Sequence, residues 1–131
     1  LKILVDTCVW AHALRHRNPD KRVTKKLADL VNDARAVLIG PIKQELLSGI
    51  SRPDQFETLK DILGAFEEIP LKSVHFEKAA LFCNTCRNKG VQGSTIDFLI
   101  CAVAHTENLV VFTVDRDFQH YARHLPIKLL K

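Results

Sequence analysis

Short apolar runs alternate along the chain with longer stretches of helical periodicity. Leu1 to Val5 is a compact apolar run that stops at Asp6, as a buried strand does. Val9 to Leu14 reads as helix. Thr24 to Ala34 sets Leu27, Leu30, Val31 and Ala34 on one stripe, and Ala36 to Gly40 follows as a second strand. Pro41 suits the first turn of a helix that carries Glu45, Leu46 and Leu47 and stops near Gly49. Beyond the Arg52-Pro53-Asp54 break, Phe56, Leu59, Ile62, Leu63 and Phe66 fall on one face of another helix. A third strand at Glu68 to Leu71 leads into a helix over Val74 to Asn88, closed by Gly90. Ser94 opens a helix that is apolar on nearly all sides through Ala104, which places it at the centre of the packing. Leu109 to Thr113 is a fourth strand, Phe118 to Arg123 a short helix, and Pro126 to Leu130 a last strand.

Apolar strands separated by helices predict a parallel sheet covered on both faces, because each return crossover needs a helix. The expected class is therefore α/β, a three-layer α/β/α fold with a central parallel sheet of about five strands. At 131 residues and 47% hydrophobic content the chain fits one domain over 1–131, with a core that needs no disulfide or metal staple. Phe98 to Ala104 covers about a third of a membrane span, and Leu1 to Val5 is too short for a signal-peptide core. The expectation is a cytoplasmic protein with no membrane partner.

Open parallel sheets bind ligands at the carboxyl ends of their strands. Asp6 ends the first strand, and Asp115 and Asp117 follow the fourth. Glu45 lies one turn into the helix after the second strand, and Asp97 near the start of the buried helix. Each has an ordinary alternative: Asp6 an Asx-turn, Ser94-x-x-Asp97 a capping box, Asp115-Arg116-Asp117 a turn and cap, Glu45 a solvated helix position. Their conjunction changes the picture, since Asp6 and Asp97 both adjoin segments that should be buried. Crowded carboxylates in a low-dielectric crevice repel one another unless a cation joins them. With oxygen donors alone, the fitting ion is Mg²⁺ or Mn²⁺, and its chemistry beside a phosphate is phosphoryl or phosphodiester transfer.

Charge adds a second surface. Lys and Arg outnumber Asp and Glu by 19 to 15, for a net +4. Arg15, Arg17, Lys21, Arg22, Lys25 and Lys26 cluster around an Asn18-Pro19-Asp20 turn, either as a solvated face or as a seat for a polyanion. Cys8, Cys83, Cys86 and Cys101 fit reduced thiols, and Cys83-x-x-Cys86 lacks the second pair a zinc site needs. His12-x3-His16 and His120-x3-His124 lack the Glu of a zinc protease and read as solvated.

The chain resembles the PIN-domain ribonucleases, and most closely the VapC-type toxins of toxin-antitoxin pairs. The likeness is carried by Ile3-Leu4-Val5-Asp6-Thr7-Cys8-Val9-Trp10, Pro41-x3-Glu45-Leu46-x2-Gly49, Ser94-x2-Asp97 with Ala102 and Ala104, and Thr113-x-Asp115-x-Asp117-Phe118. It implies that Asp6, Glu45, Asp97 and Asp115 form a catalytic acidic quartet. The metal would be held by Asp6, Asp97 and Asp115 with Asp117 as a further member, and Thr7, Ser94 and Thr113 would support them. Cys8 departs from the family, which often has Ser there, and reads as a packing position. The resemblance further implies Mg²⁺-dependent RNA hydrolysis leaving a 5′-phosphate and a 3′-hydroxyl, a homodimer, and a VapB-type antitoxin whose tail occupies the acidic groove. The basic cluster would hold the RNA backbone.

Two other readings stay open on the sequence: a PIN nuclease for RNA processing outside any toxin pair, and a non-catalytic RNA-binding module on the same fold. A phosphatase would want a second Asp where Cys8 stands, and the five glycines make neither a P-loop nor a dinucleotide fingerprint.

Overall fold

The computed structural model describes residues 1–15 and 17–131. Strands β1 (Ile3–Val5), β2 (Ala36–Leu38), β3 (Glu67–Glu68), β4 (Val110–Phe112) and β5 (Lys128–Leu129) form one sheet in the order β3-β2-β1-β4-β5. Every pairing is parallel, with Leu4 opposite both Val37 and Val111. Helices α1 (Thr7–Arg15), α2 (Lys21–Asn32), α3 (Gly40–Leu47), α4 (Pro53–Gly64), α5 (Ser73–Asn88), α6 (Thr95–Thr106) and α7 (Asp117–Ala122) connect them. This is the expected three-layer arrangement.

The strand order fixes where a site can form. From β1 the chain winds outward through β2 to β3, then returns to the other side of β1 for β4 and β5. Right-handed crossovers in opposite directions put helices on opposite faces of the sheet. The direction reverses between β1 and β4, and their carboxyl ends therefore flank an open crevice. β1 and β2 are buried at every position because both of their faces are covered. Seven consecutive residues of α6, Phe98 to Ala104, are likewise buried, as its all-round apolar pattern requires.

Several boundaries differ from the periodicity. α2 begins at Lys21, three residues before the expected start at Thr24, because the Asp20 carboxylate accepts from the Arg22 N–H and caps the helix there. Ala34, with φ of 56°, ends that segment in the left-handed region. The third strand is two exposed glutamates, Glu67 and Glu68, not Glu68 to Leu71; Ile69 turns its side chain into the core after one further backbone bond to Leu38. The last strand contracts to Lys128 and Leu129.

His12 is not simply solvated. Its Nε2 accepts the Asp20 backbone N–H at 2.6 Å, tying α1 to the start of α2. His120 and His124 are exposed, and His16 lies outside the described residues. Cys86 is buried and Cys83 half-buried, both as free thiols on α5. Buried His75 accepts the Lys72 N–H at Nδ1 and meets Glu107 at 3.1 Å through Nε2, pinning α5 to the end of α6. Among the described residues no helix is long and apolar enough to cross a membrane.

Candidate active site

The crevice between β1 and β4 is where the acids meet. Asp6 leaves the end of β1, only 6% exposed, with both carboxylate oxygens engaged. Its Oδ1 accepts the Thr7 N–H at 2.8 Å; its Oδ2 accepts the Thr113 hydroxyl at 2.8 Å and the Cys8 thiol at 3.3 Å. Thr113 follows β4, so one hydroxyl links the two strand ends. The same Thr113 oxygen accepts the Asp115 N–H at 3.0 Å. Asp115 in turn accepts the Asp117 N–H through Oδ1 at 2.9 Å, an Asx-turn that opens α7.

Asp97 approaches from α6. Ser94 caps that helix by accepting the Asp97 N–H at 3.0 Å, which fixes the carboxylate one turn above the sheet edge. Oxygens of Asp97, Asp115 and Asp117 lie within 4.8 Å of one another. Asp6 stands outside that trio but next to it: it adds to the charge felt by Asp97, and Asp115 adds to the charge felt by Asp6. Exposed Glu45, on α3, joins at the rim, where its Oε1 accepts the Thr7 hydroxyl at 2.8 Å. Thr7 thus spans Asp6 and Glu45, donating its N–H to one and its hydroxyl to the other.

The electrostatics match this crowding. Burial raises the Asp6 carboxyl above its ordinary value, against the pull of hydrogen bonds from Thr113, Cys8 and Thr7. Burial likewise raises Asp97, opposed by hydrogen bonds from Tyr121 and Ser94 and reinforced by the charges of Asp6 and Asp115. No Lys or Arg forms an ion pair with these carboxylates among the described residues. A hard dication would satisfy them, since the donors are all carboxylate oxygens.

A family model of the PIN domain matches residues 3–124. The chain belongs to the PIN-domain family. Solved structures agree with this PIN fold. FitAcB from Neisseria gonorrhoeae superimposes with a TM-score of 0.79 at 22% identity, over 98% of this chain and 96% of that one. VapBC2 from Rickettsia felis, bound to a DNA fragment from their promoter, gives 0.79 at 18% identity over 100% and 98%. A toxin-antitoxin complex from Klebsiella pneumoniae gives 0.70 at 17% identity over 89% and 90%. A comparison with curated protein sequences found no match.

Within this PIN domain, three residues at the site lack any signal in the acidic pattern. Tyr121, fully buried on α7 between Phe98 and Phe118, donates its hydroxyl to Asp97 Oδ2 at 2.7 Å. Gly93 makes room for it: a Cβ there would sit 2.4 Å from the Tyr121 oxygen. Cys8 does more than pack, since its thiol donates to Asp6. Burial and the Asp6 charge push that thiol up to about 11, which keeps its proton in place. The apolar-aromatic spacing Phe118-x2-Tyr121 marks only a helix face, so the phenol's partner is invisible before folding.

The basic cluster is less unified than its sequence spacing. The Arg15 guanidinium donates to the Leu46 carbonyl and lines a cavity of about 780 Å³ between α1 and α4, away from the acids. Arg22 pairs with Asp20 and Lys25 with Asp29. Lys26 lies 5.9 Å from the Phe112 ring centre and donates to the Lys131 carbonyl, which brings it round to the end of β4. Arg17 and Lys21 are exposed.

Proposed function

We propose that the chain is a divalent-metal-dependent endoribonuclease, hydrolysing RNA phosphodiester bonds as the toxin of a type II toxin-antitoxin pair. The observation that carries the chemistry is the convergence of four aspartates from β1, α6 and the segment after β4 on one crevice, two of them with raised carboxyl values. Membership of a nuclease family supports hydrolysis, and the toxin-antitoxin complex among the similar structures supports the biological role.

Asp97, Asp115 and Asp117, with Asp6 beside them, would hold Mg²⁺, with Mn²⁺ as a substitute. When bound, such an ion supplies charge neutralisation at the scissile phosphate and a water of lowered pKa. The chain's own residues do the rest. Thr113 and the Thr7 N–H fix both oxygens of Asp6, so its carboxylate does not need to reorganise when substrate arrives. Tyr121 and Ser94 fix Asp97 in the same way. Glu45, exposed at the rim and held by Thr7, is placed to accept a proton from a water approaching the phosphate. Lys21, Arg17 and the remaining cations of the cluster would contact the RNA backbone. A homodimer and a VapB-type antitoxin with a cationic group among the carboxylates complete the reading, because that group would compete with the ion for the same charges.

The test is cleavage of a single-stranded RNA in Mg²⁺, in Mn²⁺ and in chelator, by the wild type and by Asp6→Ala and Asp97→Ala. Cleavage that requires the ion, and its loss in both variants with RNA binding retained, is the expected result. Cleavage that persists in either variant refutes this site. Affinity purification of the chain co-expressed with the adjacent reading frame tests the toxin role, for which a small co-purifying protein that blocks cleavage is expected.

A further inference from the structure

A second cavity opens against the acids. It encloses about 470 Å³ between the segment after β4, one face of α7 and the end of β5, and Thr113 and Asp115 form its inner wall. That volume falls in the roughly 300–1,000 Å³ range of small-molecule pockets. Val114, 48% exposed, supplies an apolar wall together with Ala122 and Leu129. Gln119 and Ala122, three apart on α7, face it together.

Two of the polar side chains that line this cavity are uncommitted among the described residues. The Gln119 amide and the Arg116 guanidinium have no side-chain partner among the described residues, and Lys131 lies at the mouth. Lys26 reaches the same edge, with its ammonium on the Lys131 carbonyl. An apolar slot with an amide inside and three cations round it fits a base with its phosphates outside. Asp115 belongs both to the slot and to the carboxylate trio, so the slot adjoins the trio.

We infer that this cavity is a nucleotide subsite: it receives the base next to the cleaved phosphodiester, packs it against Val114 and Leu129, and reads its edge with Gln119. Arg116, Lys26 and Lys131 hold the adjoining backbone. The inference rests on the ribonuclease reading and adds to it a source of sequence preference.

The test uses a short single-stranded RNA with one cleavage point, and two further copies in which the nucleotide on either side of the cut is abasic. Wild type, Ala122→Phe, which fills the slot, and Gln119→Ala, an exposed change that leaves packing alone, are compared by kcat/KM in Mn²⁺. The wild type should lose at least about tenfold on one of the two abasic copies, the loss of a base packed against apolar side chains. Ala122→Phe should lose a similar factor on the intact RNA and nothing further on that abasic copy. Gln119→Ala should flatten the preference among the four bases at that position. Equal losses by Ala122→Phe on all three RNAs, or wild-type rates in both variants, overturn the subsite. So does a dimer that Ala122→Phe splits in sedimentation, since the cavity would then be a protein contact. A wild type that cleaves no RNA in either ion overturns the nuclease reading itself, and the subsite with it.

Discussion

Asp97 shows how a half-buried acid taxes the fold that holds it. Its folded carboxyl value is raised above the ordinary 3.8, with burial as the leading cause and the Asp6 and Asp115 charges adding to it. A raised acid binds its proton more tightly folded than unfolded. Its contribution to stability is therefore complete below pH 3.8 and is lost as pH rises through the folded value. Asp97→Asn should accordingly be more stable than the metal-free wild type at pH 7, and the gap should close toward pH 4. Thermal melts in chelator at the two pH values check this, and a wild type as stable as the variant at pH 7 contradicts it. The carboxylates themselves were legible from the sequence as strand-end acids. Tyr121 and Gly93 were not, because their meeting depends on α7 lying across the segment before α6, a contact that no local pattern encodes.

At the scale of elements, α6 and α7 set the site's geometry together. Ser94 caps α6, Asp97 stands on its first turn, and Tyr121 of α7 reaches back to the same carboxylate. Gly93 is the point of closest approach. Gly93→Ala would force Tyr121 aside, because the new Cβ would lie 2.4 Å from its oxygen and 2.8 Å from two ring carbons. The expected cost is about 1–3 kcal/mol, read from urea unfolding, with a weaker metal site besides. An unchanged midpoint would mean that the phenol shifts freely. Element identity followed well from periodicity here, since the buried strand Ile3 to Val5, within the apolar run from Leu1, and the all-apolar α6 have unmistakable patterns. Element ends followed less well. The start of α2 is set by the Asp20 cap rather than by apolar spacing, and β3 is two exposed glutamates that pair with Lys2 and Lys43 and carry no apolar alternation.

For the whole molecule, the reversal of strand order between β1 and β4 is what turns scattered acids into one site. Asp6 and Asp115 are distant in sequence and yet share Thr113. Ion binding should therefore stabilise the entire fold and not one loop. Mg²⁺ at a hundred times its Kd should add about 2.7 kcal/mol to unfolding, reversed by chelator and reduced in Asp97→Asn. A bare binding module would not respond. Nucleic-acid affinity belongs to the same scale. With about four phosphates contacted, log affinity should fall against log salt with a slope near −3, measured by fluorescence anisotropy on a labelled RNA in chelator. A slope near zero would show that the cluster around Lys21 is a solvated face, consistent with how many of its members already have protein partners.

The chain contains a single tyrosine, and it is the one pressed against Asp97. Its ultraviolet band is therefore an intrinsic optical gauge of that carboxylate. Charge drawn from Asp97 by an incoming cation alters the polarisation of the phenol, and the tyrosine part of a difference spectrum, resolved from the Trp10 band, should follow occupancy point by point, with no label attached. Magnesium itself is spectroscopically silent, and the phenol would report its arrival.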